Sequence, residues 1–180
     1  IAVVSLYRPG PMDNIQTYIN RKQNKESYSY IHNELKNILD ETYGIMVYQE
    51  QVMLIAQKVA GFSLAKADLL RRAMGKKIQK EMDVQKIRFI DGALKNNIDK
   101  KEASKIFDLV DKFAGYGFNK SHAAGYALIS YQTAYLKANF PHEFMTATLN
   151  FSIDRTDKII SLRQELEKLE IPFLKPDINF

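Results

Sequence analysis

Cysteine is absent from the 180 residues, which excludes disulfides and thiolate metal sites. Histidine is scarce: only His32, His122 and His142 occur, and no two stand at metal-ligand spacing, which argues against a zinc centre. No uncharged apolar run approaches the roughly 20 residues that a membrane-spanning helix needs. The chain opens IAVVSL, without the basic segment that begins a secretory signal. It also opens without methionine, as a piece of a longer protein or a processed chain would. No segment alternates apolar and polar residues with a period of two, and no internal repeat or low-complexity tract is found.

What is present is ordinary for a globular protein able to bury a core, at 46% hydrophobic and 26% charged residues. The length allows one large domain or two small ones. A net charge of +5 favours a polyanionic partner without naming one.

The chain is organised around Phe113 to Ala127, reading FAGYGFNKSHAAGYA. Gly115, Gly117 and Gly125 with Tyr116, Phe118 and Tyr126 frame the polar residues Asn119, Lys120, Ser121 and His122. A glycine-rich turn feeding a helix start collects free backbone N–H groups at a positive dipole end, which suits an anion such as phosphate. A capped turn with a solvated lysine and a core histidine is the alternative. Behind the turn, Tyr126, Ile129, Thr133, Leu136 and Phe140 recur at helical spacing.

Elsewhere Tyr7-Arg8-Pro9-Gly10-Pro11 reads as a rigid turn, with Arg8 either bonding the carbonyls of the preceding element or contacting phosphate. Asp13 to Lys25 reads as a short helix. From Ile45, apolar residues at 45, 48, 52, 55 and 59 predict a helix ending at Gly61, with Gln49, Glu50 and Gln51 off its stripe on a solvated or ligand-facing side. Ser63 caps a helix burying Leu64, Ala67, Leu70 and Met74. Asp68 can pair with Arg71 and Arg72 on its surface. Arg71, Arg72, Lys76, Lys77 and Lys80 form the densest basic patch, with Gly75 expected to break the helix among them: either a solvated face or an anion-facing one. Helices follow with Phe89 and Ile90, then Ile106 and Val110, inside. Asp99 and Glu102 resemble a capping box, and the last helices begin at Pro141 and near Asp157. The fold class is all-α, with about eight helices and glycine-rich connecting turns.

Enzyme motifs are weak. GYGFNKS resembles the end of a phosphate-binding loop, but Asn119 replaces the glycine before Lys120 and the preceding residues read as helix, not strand. Ser121 and His122 have no evident third partner for nucleophilic catalysis. Asp108 and Asp111 read as surface charge, and no carboxylate cluster suggests a metal cage.

The segments SLYRPGPM, TYGIMVYQEQVM, AGFSLAKADLLRRAMGKK, KFAGYGFNKSHAAGYALISYQTAYLKANFPHEFM and KPDIN, in order over nearly the whole chain, resemble the C-family of bacterial replicative DNA polymerases, the alpha subunits of DNA polymerase III. Gly125, and Ala65-Lys66, depart from the family pattern. The resemblance implies the fingers region of a DNA-directed DNA polymerase: residues 1–12 as the end of the palm, 13–150 as the helical fingers domain, and 151–180 as its C-terminal helix and extended tail. It implies a nucleotide- and phosphate-binding surface of Arg71, Arg72, Lys76, Lys77, Tyr116, Asn119, Lys120, Ser121 and His122. Arg8, Tyr48, Gln49 and Lys80 are implied as contacts to DNA or as supports. It further implies Mg2+ held by palm carboxylates outside this chain, so that the piece alone is inactive. The implied partners are primer–template DNA, deoxynucleoside triphosphate (dNTP), the palm, and a sliding clamp and replisome subunits reached through other regions, in the cytoplasm and with no membrane contact. A non-catalytic helical nucleic-acid-binding module is the alternative, and dependence on nucleotide separates the two.

Overall fold

A computed structural model describes every residue except 77, 78, 115, 175–177, 179 and 180; the side chains of residues 76, 79 and 114 are also outside the description. Lys77 therefore lies outside the described residues, as does the side chain of Lys76. The described residues are all-α: α1 Ala2–Leu6, α2 Ile15–Lys22, α3 Asn33–Leu39, α4 Gln49–Ala60, α5 Leu64–Lys76, α6 Gln79–Lys95, α7 Lys100–Ala114, α8 Lys120–Asn139, α9 Pro141–Asn150 and α10 Thr156–Lys168. Single 3-10 turns lie at Pro11–Asn14 and Asp40–Thr42. Among the described residues the only β-pairing is an isolated parallel bridge between Tyr48 and Phe118. No described helix is long and apolar enough to cross a membrane.

The chain divides into two compact units, Ile1–Ala127 and Leu128–Phe180. In the first, α4 is the central rod, packed by α3, α5, α6 and α7. Its apolar residues explain why: Val52, Ile55, Ala56 and Val59 follow one another at helical spacing and are almost wholly buried. Each large aliphatic side chain so buried contributes roughly 1.5–3 kcal/mol. Phe89 of α6 meets Phe62 and Phe107 edge-on, with centroids 6.2 and 5.5 Å apart. A smaller cluster joins Leu6, Ile45, Val47 and Tyr48, with Ile15 and Tyr18 against it. The second unit has its own core, Met145 with Leu162 and Leu166.

Several local expectations change. The helix expected from Ile45 begins at Gln49, because the amides of Val47 and Tyr48 are taken by the Gln51 side chain, at 2.8 and 3.0 Å. Gly75 does not break α5, which runs on to Lys76; one helical glycine costs only about 1 kcal/mol, less than the anchoring of Leu70 and Met74 in the core supplies. Leu64, placed by its spacing on the buried side, is 62% exposed in the first turn of α5. Tyr126, Ile129 and Leu136 of α8, and Phe140 just after it, are also exposed, so their helical spacing marks a helix but not a core.

Gly92 fixes how closely α6 crosses α4. A Cβ added there would lie 2.1 Å from the Ala60 carbonyl oxygen and 2.9 Å from its carbon. Gly92→Ala gains about 1 kcal/mol of helix propensity, but forcing two backbones apart costs about 3 kcal/mol. A lowered urea midpoint is expected. Gly125→Ala, which meets nothing within 4 Å, is expected to raise it.

Candidate functional site

The Tyr48–Phe118 bridge brings the starts of α4 and α8 together. The Gln49 amide donates to the Phe118 carbonyl at 2.9 Å, and the Phe118 amide donates to the Val47 carbonyl at 3.2 Å. Gln49 also donates from Nε2 to the Gly117 carbonyl at 3.0 Å. Gly117 suits this approach, since a Cβ there would stand 3.1 Å from Gln49 Cγ and 3.2 Å from the Phe113 ring and would press both side chains back.

The turn holding Arg8 closes the other side. Gly10 has φ of +96°, and an added Cβ would strike the Tyr116 ring at 2.3 Å; the proline-flanked glycine thus makes room for the aromatic of the glycine-rich stretch. Arg8 donates from Nε to the Ser5 carbonyl at 3.2 Å, the first of the two roles read for it, which does not exclude the second. It also donates to the Tyr116 carbonyl and lies over the Phe118 ring at 4.7 Å. Burial lowers its pKa from the usual guanidinium value. These contacts make Arg8 a support of the stretch.

At the start of α8, Asn119 caps the helix by accepting the His122 amide at 2.8 Å. The Lys120 amide donates to both carboxylate oxygens of Glu50, at 3.1 and 3.0 Å, and Asn119 Nδ2 donates to the same carboxylate at 3.1 Å. The position where an anion would meet the helix start is thus filled by the protein's own Glu50. The Lys120 ammonium pairs with Glu41 at 2.5 Å and stands 5.3 Å over the Tyr48 ring. Tyr48 is 3% exposed and its ring lies beneath the Lys120 ammonium. Its pKa is pushed up to about 12, first by burial and then by Glu41, Tyr18 and Glu50. The His122 ring lies between Phe118 and Tyr126, with centroids 5.5 and 4.7 Å away, and Ser121 is exposed beside it.

Arg71 links the basic patch to this corner. It holds Asp68 at 2.7 Å and donates to Gln49 Oε1 at 3.3 Å. Arg72, more exposed, grips the other Asp68 oxygen at 2.8 Å. The Arg71 hydrogen bond, aided by the charges of both arginines, holds the Asp68 pKa below the usual carboxylate value despite an opposing desolvation effect. One connected set therefore contains Arg71, Arg72, Tyr116, Asn119, Lys120 and His122. Lys80 instead lines a groove with Leu69, Val84 and Arg88.

Sequence reasoning does not place Glu41 in the site, and leaves Glu50 on a face that is either solvated or ligand-facing without linking it to α8. An acid in the first turn of α4 signals a favourable interaction with its own helix dipole; nothing in the local pattern says that a second helix shares it. Among the described residues no three His, Asp or Glu side chains converge as a metal site. Asp108, read as surface charge, is exposed and pairs with Lys86 at 2.6 Å.

Residues 1–97 match the family model described as the bacterial DNA polymerase III alpha subunit finger domain. Among curated relatives, the chain is similar to the protein named DNA polymerase III subunit alpha of Caulobacter vibrioides, at 55% identity over 99% of this chain and 16% of the relative. It is similar to that of Rickettsia felis at 56% identity over 99% of the chain and 15% of the relative. The Thermus aquaticus protein of the same name shows 54% identity over 99% of the chain and 15% of the relative. The chain thus spans about 15% of the length of the relatives it matches.

Proposed function

Because the chain belongs to the bacterial DNA polymerase III alpha subunit finger domain family, we propose that it receives the incoming dNTP within a replicative DNA-directed DNA polymerase. The residues proposed to meet the dNTP are Arg71, Arg72, Tyr116, Asn119, Lys120, Ser121 and His122, together with Lys76 and Lys77, which the sequence alone puts forward. The polymerase would extend a primer on template DNA by nucleotidyl transfer in the bacterial cytoplasm, with magnesium held by palm carboxylates outside this chain. Its palm, primer–template DNA, and a clamp and other replisome subunits reached through other regions are the proposed partners.

The observation that carries the reading is the joining, through Gln49 and Glu50, of the basic face of α5 to the Asn119–His122 corner. Two cationic groups from distant parts of the sequence then serve one polyanion. Positioned cations stabilise charge on the phosphates during transfer. Their present partners are exchangeable: Lys120 and Glu41 are 39% and 46% exposed, and such surface pairs contribute about 0–1 kcal/mol. A triphosphate can therefore replace Glu41 on Lys120 at little cost. The His122 ring, held between two aromatics, borders the sugar or base.

Lys120→Ala in the full polymerase is expected to raise the dNTP KM about tenfold or lower kcat, with primer–template affinity nearly unchanged. Steady-state extension and DNA-binding titrations check this. Unchanged extension kinetics would remove Lys120 from the site and the main support for the reading.

A further inference from the structure

The starts of α4 and α8 are both positive dipole ends, and the Tyr48–Phe118 bridge holds them side by side. Two such ends repel unless a negative group stands between them. Glu50 is that group: it lies in the first turn of α4, while its carboxylate accepts the Lys120 amide with both oxygens and the Asn119 side-chain amide as well. These bonds also settle which way the Asn119 amide faces. With Nδ2 committed to Glu50, Oδ1 is turned to the His122 amide.

We propose that Glu50 is a positioning residue for nucleotide binding: it closes the start of α8 and orients the Asn119 cap, so that the triphosphate is met by the Lys120 side chain and not by the helix amides. This rests on the nucleotide-binding reading above. Glu50 touches no substrate in the proposal and acts through Asn119 and Lys120.

The test is dNTP-dependent primer extension by the full polymerase, with KM and kcat separated. Glu50→Gln removes the charge and leaves one acceptor where two stood: with its oxygen at the Oε1 position the introduced NH2 faces the Lys120 amide, and turned over it faces Asn119 Nδ2 as well, so it is expected to raise KM five- to twentyfold with kcat changed less than threefold. Asn119→Asp sets two carboxylates against each other and is expected to do at least as much harm. The double variant, Glu50→Gln with Asn119→Asp, moves the carboxylate across the contact while restoring the pattern of hydrogen bonds. The introduced aspartate caps the His122 amide and accepts from the introduced glutamine, whose carbonyl oxygen accepts the Lys120 amide. It is expected to return KM to within about threefold of the parent. This rescue also covers the case in which a single variant folds poorly, since a general loss of packing would not be repaired by a second change.

A fall in KM on Glu50→Gln would overturn the proposal, because it would mean that Glu50 competes with phosphate for the helix start. Additive losses in the double variant would overturn it too. If Lys120→Ala still raises KM, either outcome leaves the nucleotide-binding reading standing; if Lys120→Ala has no effect, that reading fails on its own measurement.

Discussion

Gln51→Leu is expected to destabilise the first unit by about 4 kcal/mol, the balance of the buried hydrogen bonds lost against the apolar burial gained, and to loosen the candidate site with it. Gln51 is 1% exposed and uses both ends of its amide. Oε1 accepts from the Val47 and Tyr48 amides at 2.8 and 3.0 Å, and Nε2 donates to the Ile38 carbonyl at 3.2 Å and Thr42 Oγ1 at 2.8 Å. Leucine is close in size, so no large cavity forms and apolar burial recovers about 2 kcal/mol. Against that, two buried backbone donors lose their acceptor at about 1–3 kcal/mol each, and two further hydrogen bonds disappear at about 1 kcal/mol each. The losses exceed the gain.

The consequence travels because Val47 and Tyr48 carry the bridge to Phe118. Two measurements check it: the urea midpoint, and hydrogen exchange of the Val47, Tyr48 and Phe118 amides, all of which should speed up together. Exchange that accelerates only near Ile38 would show that the bridge stands without Gln51.

The same residue shows what the sequence could and could not disclose. Hydrophobic periodicity finds α4, α6 and α7, because Val52, Ile55, Phe89, Ile106 and Val110 are buried by their own helix faces. It misjudges the start of α4, because Ile45 and Tyr48 fall on the helical period by coincidence while a side-chain amide three residues on holds that backbone extended. No window statistic registers a glutamine bonding to backbone on the far side of its own helix start. The glycine-rich stretch is legible as a candidate site because its composition is unusual, whereas the capping role of Asn119 emerges only from the structure. The links of Glu50 and Glu41 to α8 are not legible, because each spans some 70 or more residues of sequence. The α8 stripe is legible as a helix and nothing more: Tyr126 and Ile129 repeat correctly but lie exposed.

Neutralising Arg71 and Arg72 together is expected to lower kcat/KM for primer extension by the full polymerase about a thousandfold, in the range that phosphate-facing arginines supply in phosphoryl transfer. The two side chains are not equivalent. Arg72 is 65% exposed and bonds only one oxygen of Asp68, so Arg72→Ala removes charge and leaves the scaffold intact. Arg71 is 29% exposed and also holds Gln49, which in turn holds the Gly117 carbonyl; Arg71→Ala therefore disturbs the Asn119 corner as well. Lysine should not rescue Arg71, because a single ammonium lacks the planar fork that serves Asp68 and Gln49 at once. In the double variant Asp68 is left without either partner, and its charge opposes the incoming triphosphate. Varying salt in DNA-binding titrations then locates the arginines. If they meet DNA phosphates, the slope of log K against log salt falls by about 0.9 for each lost contact. If they meet only the triphosphate, the slope stays where it was while kcat/KM collapses. Extension that survives both substitutions would exclude the basic face of α5 from the site and leave Lys120 and its neighbours to bind the phosphates alone.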